Sequence, residues 1–343
     1  MKMRAAIFHE NGGPEVVRIE EVARPEPGPG EVLVRVRAAA MNHLDLWVRR
    51  GLPIETTMPH VGGSDISGVV ESVGPGVSEA RVGQSVVVNP TLWCGACREC
   101  LRANEAFCER LRLLGEHTDG GFAECVAVRA EQAHPLPEGL SFEAAAALPV
   151  SYQTAWRALL TRARLRPGED VLVLGASGGT AIAAVQIALL AGARVFAVTK
   201  GAANVRALTD LGAHVVYDRE HEDFSAAVYR DTDKRGVDVV VENVGEATWK
   251  GSVRALARGG RLVTYGATTG HRAETDLRVL FWKQLEIIGT TMASRAEFAA
   301  LLAVVARGAL PPVVDSVMPL EQARQAHERL EGGGQFGKVV LVP

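Results

Sequence analysis

Residues 170–199, DVLVLGASGGTAIAAVQIALLAGARVFAVT, decide the fold of one half of this 343-residue chain. An apolar strand, a glycine-rich turn, an apolar helix and a second strand follow one another within the length of a single βαβ unit. The turn departs from G-x-G-x-x-G, because Ala176 stands at its first position and Ala181 at its third. Alanine suits the third position, where helix and strand need only pack closely. The stretch therefore predicts a dinucleotide-binding unit.

The glycine-rich turn is the predicted contact for the pyrophosphate of the cofactor. Gly178 and Gly179 let backbone amides approach the anion at the start of the helix, where the helix dipole favours negative charge. A tight strand-to-helix turn without a ligand is the alternative interpretation. The residues expected to contact the cofactor here are Gly175, Ala176, Ser177, Gly178, Gly179 and Thr180.

The end of the second strand bears on the choice of cofactor. NAD enzymes usually place Asp or Glu there to bind the ribose 2'-hydroxyl, but this segment continues with Thr199, Lys200 and, farther on, Arg206. Because none of these side chains would repel a 2'-phosphate, we expect Thr199 and Lys200 to favour NADP(H), without excluding NAD(H). The alternative is that Lys200 is a solvated surface lysine.

Changes in sequence pattern divide the chain into two domains. From residue 149 to 292 strands and helices alternate, which is typical of an α/β protein with a doubly wound parallel sheet. Residues 1–148 hold short alternating strands separated by Pro/Gly turns, which predicts an all-β, barrel-like domain. The tail, 293–343, resumes that pattern. We therefore expect a nucleotide-binding domain, 149–292, inserted in a β domain that is formed by 1–148 and 293–343.

Composition bounds the function. A hydrophobic content of 47% over 343 residues is enough for two cores. A formal net charge of -3 argues against electrostatic binding of nucleic acid. No apolar run reaches the about 18 residues that a membrane span needs, and the N-terminus has no secretory signal pattern. We expect a cytoplasmic protein that acts on a small-molecule substrate, with neither nucleic-acid nor membrane partners.

Four of the five cysteines stand together with the spacing C-x2-C-x2-C-x7-C. Four thiolates with no nearby histidine leave no open coordination position, so the spacing predicts one structural zinc ion rather than a catalytic one. An iron–sulfur site would need a shorter final spacing followed by proline. Disulfides or free thiols are the alternatives. The predicted zinc ligands are Cys94, Cys97, Cys100 and Cys108.

With these two motifs, the chain resembles the medium-chain dehydrogenases/reductases, the superfamily of zinc alcohol dehydrogenases and quinone oxidoreductases. The resemblance extends over PHVGGSDISGVVESVGPGV (59–77), GGFAE (120–124), LPVSYQTAWRAL (148–159) and FGKVVLVP (336–343). It implies a GroES-like barrel, a Rossmann domain and an active site in the cleft between them. It also implies a homodimer or homotetramer formed through the edge strand LEIIGTTM (285–292).

The resemblance breaks at the catalytic zinc. Where zinc alcohol dehydrogenases carry a cysteine, a histidine in G-H-E and a third ligand, this chain has Asn42, Ser64 and Val150. Asn42, Asp45 and Arg49 instead resemble the N-x-x-D-x-x-x-R pattern of zinc-free quinone oxidoreductases. We therefore expect no catalytic zinc. A metal held by other donors is the alternative, and the available side chains are His43, Asp45, His60, Asp65 and His117.

The same resemblance implies which side chains line the site. The implied catalytic residues are Asn42, Asp45, Ser64 and Tyr152, and the further cofactor contacts are His43, Thr154, Asn243 and Gly266. Asn42 either donates its amide to a developing oxyanion or ties a loop to the backbone. We expect Asp45 and Arg49 to form an internal ion pair. Tyr152 is either a proton donor or packs against the cofactor.

Without a Lewis acid, hydride transfer from NAD(P)H best suits an acceptor that is already electrophilic. The sequence therefore predicts an NAD(P)H-dependent reductase of quinones or α,β-unsaturated carbonyl compounds. One alternative is an alcohol or aldehyde dehydrogenase with an atypical metal or none. The other is an NAD(P)H-binding protein of low turnover.

Overall fold

The computed structural model describes residues 1–53, 56–78 and 81–343. These residues form two compact units. The discontinuous unit consists of Met1–Val150 and Ser294–Pro343, and the inserted unit consists of Ser151–Ala293. The chain therefore leaves the discontinuous unit once, builds the whole inserted unit, and returns.

Short strands make up most of the first part of the discontinuous unit. Many are separated by glycine residues with positive φ, such as Gly30 at 76° and Gly83 at 87°. The strands are β1 (Lys2–Phe8), β2 (Arg18–Ala23), β3 (Glu31–Ala40), β4 (His60–Val61), β5 (Asp65–Val73), β6 (Ser85–Val88), β7 (Thr91–Leu92), β8 (Arg112–Leu113), β9 (Cys125–Arg129) and β10 (Ala133–Pro135). The helices are α1 (His43–Arg50), α2 (Arg98–Leu101) and α3 (Phe142–Ala146), and α4 (Pro149–Trp156) carries the chain into the inserted unit.

The inserted unit alternates strand and helix. Its elements are β11 (Asp170–Val173), α5 (Gly179–Leu190), β12 (Arg194–Thr199), α6 (Ala202–Asp210), β13 (Val215–Asp218), α7 (Phe224–Asp231), β14 (Val237–Glu242), α8 (Glu246–Ala255), β15 (Leu256–Thr264), α9 (Leu277–Lys283) and β16 (Glu286–Gly289). The strands run parallel in the order β13-β12-β11-β14-β15-β16. The strand order reverses between β11 and β14, which confirms the predicted doubly wound sheet. Every residue of β11 is buried, as expected for a central strand covered on both faces.

One segment of the inserted unit differs from its sequence pattern. The run WKGSVRALARGG (249–260) has the spacing of a single helix, but α8 ends at Ala255 and β15 begins at Leu256. Gly259 has a φ of 71°, a conformation that suits glycine and cannot continue a helix. Pairing of β15 with β14 therefore prevails over the helical spacing.

The C-terminal segment completes the discontinuous unit. It contains α10 (Arg295–Val305), β17 (Val314–Pro319), α11 (Ala323–Gly332) and β18 (Lys338–Val342). The main sheet runs β10-β6-β5-β3-β18-β17, and β9 also pairs with β3. Ala40 near the end of β3 pairs with Val340 on one side and with Asp65 on the other. The sheet therefore brings the end of β3 to the starts of β5 and β18. None of the helices in the described part of the chain is long and apolar enough to cross a membrane.

Candidate active site and metal centre

The four clustered cysteines meet in the loop between β7 and β8. Their sulfur atoms all lie within 4.8 Å of one another. Cys94 Sγ lies 3.8 Å from Cys100 Sγ and accepts a hydrogen bond of 3.3 Å from the backbone N–H of Cys97. The backbone N–H of Cys94 donates in turn to Cys108 Sγ. The loop is thus folded around its sulfur atoms.

This arrangement fits a zinc ion. Tetrahedral coordination with Zn–S distances of about 2.3 Å separates neighbouring sulfur atoms by about 3.8 Å. Hydrogen bonds from the backbone N–H groups of Ala96 and Cys97 lower the pKa of Cys94 to about 6, whereas burial raises the pKa of Cys100 to about 12. A dication would supply the charge that holds Cys100 as a thiolate. With four sulfur ligands the centre would be closed, and therefore structural.

Arg295 anchors the cysteine loop to helix α10. Its Nε donates to Glu105 Oε1 at 2.9 Å, and Glu105 is 1% exposed. The guanidinium also lies over the ring of Trp93, 5.1 Å from the ring centroid. Since Trp93 and Glu105 belong to the cysteine-containing segment, one cation holds that segment against the first turn of α10.

A buried polar network lies where β3, β5 and β18 meet. Lys338 Nζ donates to Asn42 Oδ1 at 2.6 Å and to Asp65 Oδ2 at 2.7 Å. Asn42 Nδ2 donates to the same Asp65 oxygen at 3.0 Å. The other oxygen of Asp65 accepts the backbone N–H of Val150 at 2.7 Å. The Asp65 side chain is fully buried and that of Lys338 is 4% exposed. No sequence motif singles out Lys338, although it lies in the segment FGKVVLVP.

Asp45 caps the start of helix α1. Its carboxylate accepts the backbone N–H of Asn42 at 2.7 Å and that of Gly63 at 3.0 Å. Burial raises the pKa of this carboxyl to about 7, although the two hydrogen bonds act in the opposite direction. Asp45 therefore holds the backbone of Asn42 in place.

The predicted ion pair between Asp45 and Arg49 is wrong. Within the described residues, Arg49 pairs instead with Glu331 and donates through Nε to the carbonyl of Gly12 at 3.1 Å. Asp45 lies in the first turn of α1, and its carboxylate accepts the backbone N–H of the N-cap residue Asn42 instead of meeting Arg49. The two side chains thus serve opposite ends of the same short helix.

Asn42, Ser64 and Val150, which replace the three expected ligands of a catalytic zinc, lie near one another. Their donor atoms, however, do not suit zinc. Asn42 offers an amide that is already bonded to Lys338 and Asp65, and Val150 offers only its backbone. Ser64 is buried and donates through Oγ to the carbonyl of Leu114 at 2.7 Å. Among the described residues, the cysteine cluster is the only group of three or more His, Cys, Asp or Glu side chains close enough to share a metal.

The histidines considered as alternative ligands have other surroundings. His60 is buried, and its Nε2 lies 3.1 Å from the carbonyl oxygen of Gly115. His117 Nδ1 accepts the backbone N–H of Leu113 at 3.2 Å. His43 begins α1, and burial together with the charge of Lys338 lowers its pKa. These contacts do not bring the three imidazoles to a common metal position.

The glycine-rich turn of the inserted unit has the geometry that a phosphate needs. Gly175 has a φ of 58°, and a Cβ there would lie 2.8 Å from Asn243 Oδ1. A Cβ on Gly178 would meet only the carbonyl of Gly175, at 3.6 Å, so the turn is open at that point. The N–H groups of the first turn of α5, from Gly179 onward, have no acceptor within the helix. The turn, including Ala176, Ser177 and Thr180, therefore fits the pyrophosphate of a dinucleotide.

Asn243 connects the turn to the neighbouring strand. Its Nδ2 donates to the carbonyl of Leu174 at 3.1 Å and to the hydroxyl of Tyr265 at 3.0 Å. A Cβ on Gly266 would lie 3.2 Å from the carbonyl of Asn243, so the chain after β15 packs closely on the end of β14. Asn243 and Gly266 thus shape the edge of the sheet beside the turn.

Tyr152 and Thr154 make contacts inside the inserted unit. The hydroxyl of Tyr152 is buried and donates to Gln186 Oε1 of α5 at 2.8 Å. Thr154 is also buried, and its Oγ1 lies 3.9 Å from the sulfur of Met292. The Tyr152 hydroxyl therefore ties α4 to α5.

An acidic residue that is distant in sequence lies beside the end of β12. Lys200 forms an exposed ion pair of 3.0 Å with Glu220, which follows β13. The hydroxyl of Thr199 is buried and has no hydrogen-bond partner among the described residues. A 2'-phosphate bound here would compete with Glu220 for Lys200.

Comparison with known proteins agrees with this description. Residues 28–138 match the family described as alcohol dehydrogenase GroES-like domain, and residues 211–341 match the family described as zinc-binding dehydrogenase. A quinone oxidoreductase of Rattus norvegicus is 32% identical over 99% of this chain and 98% of its own length.

Solved structures extend the comparison. The crystal structure of an NAD-dependent alcohol dehydrogenase has a TM-score of 0.96 at 44% identity, and the match covers 99% of this chain and 100% of that one. The crotonyl-CoA carboxylase/reductase AntE in complex with NADP has a TM-score of 0.92 at 28% identity, covering 99% and 94%. The similarity therefore runs over nearly the full length of the chain.

Proposed function

This chain belongs to the medium-chain dehydrogenase/reductase family of NAD(P)-dependent oxidoreductases, and from that premise we propose that it reduces quinones or α,β-unsaturated carbonyl compounds without a catalytic metal. One observation carries the proposal. The positions that bind catalytic zinc in the zinc alcohol dehydrogenases hold Asn42, Ser64 and Val150, and these adjoin an ion pair of Lys338 with Asp65. A cation supplied by the chain is thus bonded to one of these three positions, Asn42, and to the neighbouring Asp65.

The acceptor class follows from what this network can supply. Hydride transfer to an acceptor places negative charge on its oxygen, which zinc would stabilise as a Lewis acid. Hydrogen-bond donors stabilise that charge less strongly, so they suit acceptors that spread it over a conjugated system. A bound reduced nicotinamide supplies the hydride. Quinones and enones are therefore the expected acceptors, and simple ketones are not.

Asn42 is the proposed donor to the oxygen that gains charge. Its Nδ2 carries two N–H groups, and Asp65 accepts one of them. We assign Asp45 and Ser64 to positioning, because Asp45 holds the backbone of Asn42 and Ser64 holds the loop at Leu114. A donor that is oriented before the reaction needs no rearrangement when charge develops.

For the cofactor, the proposal is NADP(H) in preference to NAD(H). Lys200 lies just beyond β12, and its pairing with Glu220 is exposed on both sides. An exposed ion pair contributes at most about 1 kcal/mol, so a phosphate dianion can displace the carboxylate. The buried hydroxyl of Thr199, at the same end of the strand, has no hydrogen-bond partner in the part of the chain that the structure describes.

The proposed assembly is a homodimer or homotetramer formed through the edge of the inserted sheet. Strand β16 is at the end of the sheet, and Ile287 on it is 38% exposed. Beside it in sequence, α9 exposes Leu277, Phe281 and Trp282 by about two thirds each. An open strand next to exposed apolar side chains favours pairing with a second copy of the chain.

Metal content and acceptor range together test the function. We expect one tightly bound zinc per chain, reduction of 1,4-benzoquinone and 2-cyclohexenone with NADPH, and activity that survives removal of loosely bound metal by a chelator. Two zinc ions per chain, or oxidation of simple alcohols that a chelator abolishes, would instead establish an alcohol dehydrogenase. Tight NADPH binding with no acceptor reduced would indicate a binding protein.

A further inference from the structure

We infer that Lys338 is a positioning residue that sets Asn42 as the hydrogen-bond donor to the acceptor's oxygen. The inference rests on the proposed function, since it concerns the donor named there. It adds a residue from the C-terminal strand, whose contribution is to orient an amide and to offset a neighbouring negative charge.

The register of the sheet brings Lys338 to Asn42. In the antiparallel pair of β3 and β18, Ala40 lies opposite Val340. Two residues along each chain, the same register sets Asn42 opposite Lys338, and the Nζ–Oδ1 distance is 2.6 Å. Asp65 lies opposite Ala40 from the other side. The pairing of β3 with β18, rather than a flexible loop, therefore determines the position of Lys338.

The chemistry of Lys338 decides which way the Asn42 amide points. An ammonium group has only donors, so the atom of Asn42 that faces it must be the amide oxygen. A carboxylate accepts, so the atom 3.0 Å from Asp65 must be the amide nitrogen. Lys338 and Asp65 thus require the same orientation of the Asn42 amide. A flipped amide would place its NH2 group against the ammonium and its oxygen against the carboxylate. The second N–H of Nδ2 has no acceptor among the described residues and is left for a ligand.

Lys338 also offsets the charge of Asp65. The Asp65 carboxylate lies 3.0 Å from the Nδ2 atom that would donate to the acceptor, so alone it would oppose negative charge developing there. The ammonium of Lys338, at 2.7 Å, balances that carboxylate. Orientation and charge balance are two separate contributions, and substitution can separate them.

The test measures kcat for 2-cyclohexenone with NADPH in a double-mutant cycle. Removing one oxyanion donor costs about 100-fold in kcat, and we expect that loss for Asn42→Ala. Lys338→Met should lower kcat at least about tenfold, because Asn42 loses one of the two partners that orient it and the charge of Asp65 is no longer balanced. In the Asn42→Ala background, however, Lys338→Met should lower kcat by a clearly smaller factor, because no amide remains to be oriented and only the unbalanced charge of Asp65 is left to act. The surface substitution Lys250→Met is the matched control and should leave kcat unchanged.

Two further variants separate charge from orientation and guard against misfolding. Lys338→Met alone leaves Asp65 buried and unpaired, so the double variant Asp65→Asn/Lys338→Met is made as well, because it removes both charges together. It should still lower kcat, since neither charged partner then orients the amide of Asn42. Lys338→Arg keeps the positive charge and the hydrogen-bond donors, so this variant should retain most of the wild-type kcat. Each variant is first checked for the zinc content and far-UV circular dichroism of the wild type.

The outcomes separate this inference from the proposed function. If Lys338→Met lowers kcat by the same factor with and without Asn42, or if Asp65→Asn/Lys338→Met keeps the wild-type kcat, the role of Lys338 is refuted while the function stands. If the wild-type protein reduces neither benzoquinone nor cyclohexenone, the proposed function fails and the assignment of Lys338 fails with it.

Discussion

Lys338 and Asp65 form an ion pair of 2.7 Å in which both side chains are almost fully buried. Breaking a buried pair from one side is costly, because the remaining charge is left in a medium of low polarity. Lys338→Met should therefore lower the free energy of unfolding by about 3–5 kcal/mol. Asp65→Asn/Lys338→Met should lower it by less. Urea unfolding checks both, and equal losses in the two variants would contradict the pairing.

Asp45 should make the protein less stable as the pH rises towards neutrality. Burial raises the pKa of its carboxyl to about 7 from an ordinary value of 3.8. The folded state thus keeps a proton that the unfolded state releases, so this stabilisation is complete below about pH 4 and is lost as the pH rises through 7. In urea unfolding between pH 4 and 8, the wild type should lose stability more steeply than Asp45→Asn.

The control for this titration is Asp210→Asn, an exposed carboxylate on α6. Its stability should follow the same pH dependence as the wild type. Parallel curves for the wild type and Asp45→Asn would show that Asp45 is ionised in the folded protein across the range.

Gly175 and Gly178 provide a matched pair for the nucleotide turn. Gly175→Ala should destabilise the protein by about 1–3 kcal/mol, because alanine resists a φ of 58° and its Cβ would press on Asn243. Gly178 has a φ of -77° and a ψ of 150°, which alanine adopts readily. Gly178→Ala should therefore keep its melting temperature but bind NADPH about tenfold more weakly or worse, since its Cβ blocks the approach of backbone amides to the pyrophosphate. Unchanged NADPH affinity in Gly178→Ala would place the pyrophosphate elsewhere.

Lys200 and Glu220 should have opposite effects on the use of NADPH. Lys200→Ala should raise the KM for NADPH about fivefold and leave the KM for NADH nearly unchanged, as removal of an exposed charge contact of about 1 kcal/mol implies. Glu220→Gln removes the competing carboxylate and should lower the KM for NADPH. A wild-type protein that prefers NADH would overturn the choice of cofactor.

The cysteine loop should lose its metal when any one of its four cysteine ligands is replaced. Cys97→Ser should release zinc and lower the melting temperature, because metal binding and folding of the loop are coupled. Cys125→Ser is the control, since Cys125 is buried in β9 and lies outside the cluster. It should keep one zinc per chain. Zinc retained by Cys97→Ser would argue against a four-sulfur centre.

The inserted unit could be predicted from sequence because its information is local. Strand, glycine turn, helix and second strand lie within 170–199, and each has its own pattern. The cysteine cluster is local in the same sense. Where two local patterns competed, in 249–260, the pairing of β15 with β14 decided the outcome, and no short window of sequence contains that information.

The polar network could be predicted only in part. Asn42 and Asp65 stand in segments that resemble known motifs, but Lys338 reaches them through the register of β18 on β3. Glu220 likewise comes to Lys200 from the turn that follows the next strand, β13. Asp45 and Arg49 have the spacing of a helical ion pair, yet the Asp45 carboxylate accepts the backbone N–H groups of Asn42 and Gly63 instead.

Arg295 also bears on how the protein is made. The cysteine loop is synthesised early, but its anchor on α10 is synthesised only after the whole inserted unit. Until then Glu105 lacks Arg295, and the loop is held only by contacts within the first 150 residues, such as that of Arg129 Nη1 with the carbonyl of Trp93 at 2.8 Å, and by any bound metal. A bound zinc ion should therefore stabilise the loop most during translation, before α10 is made.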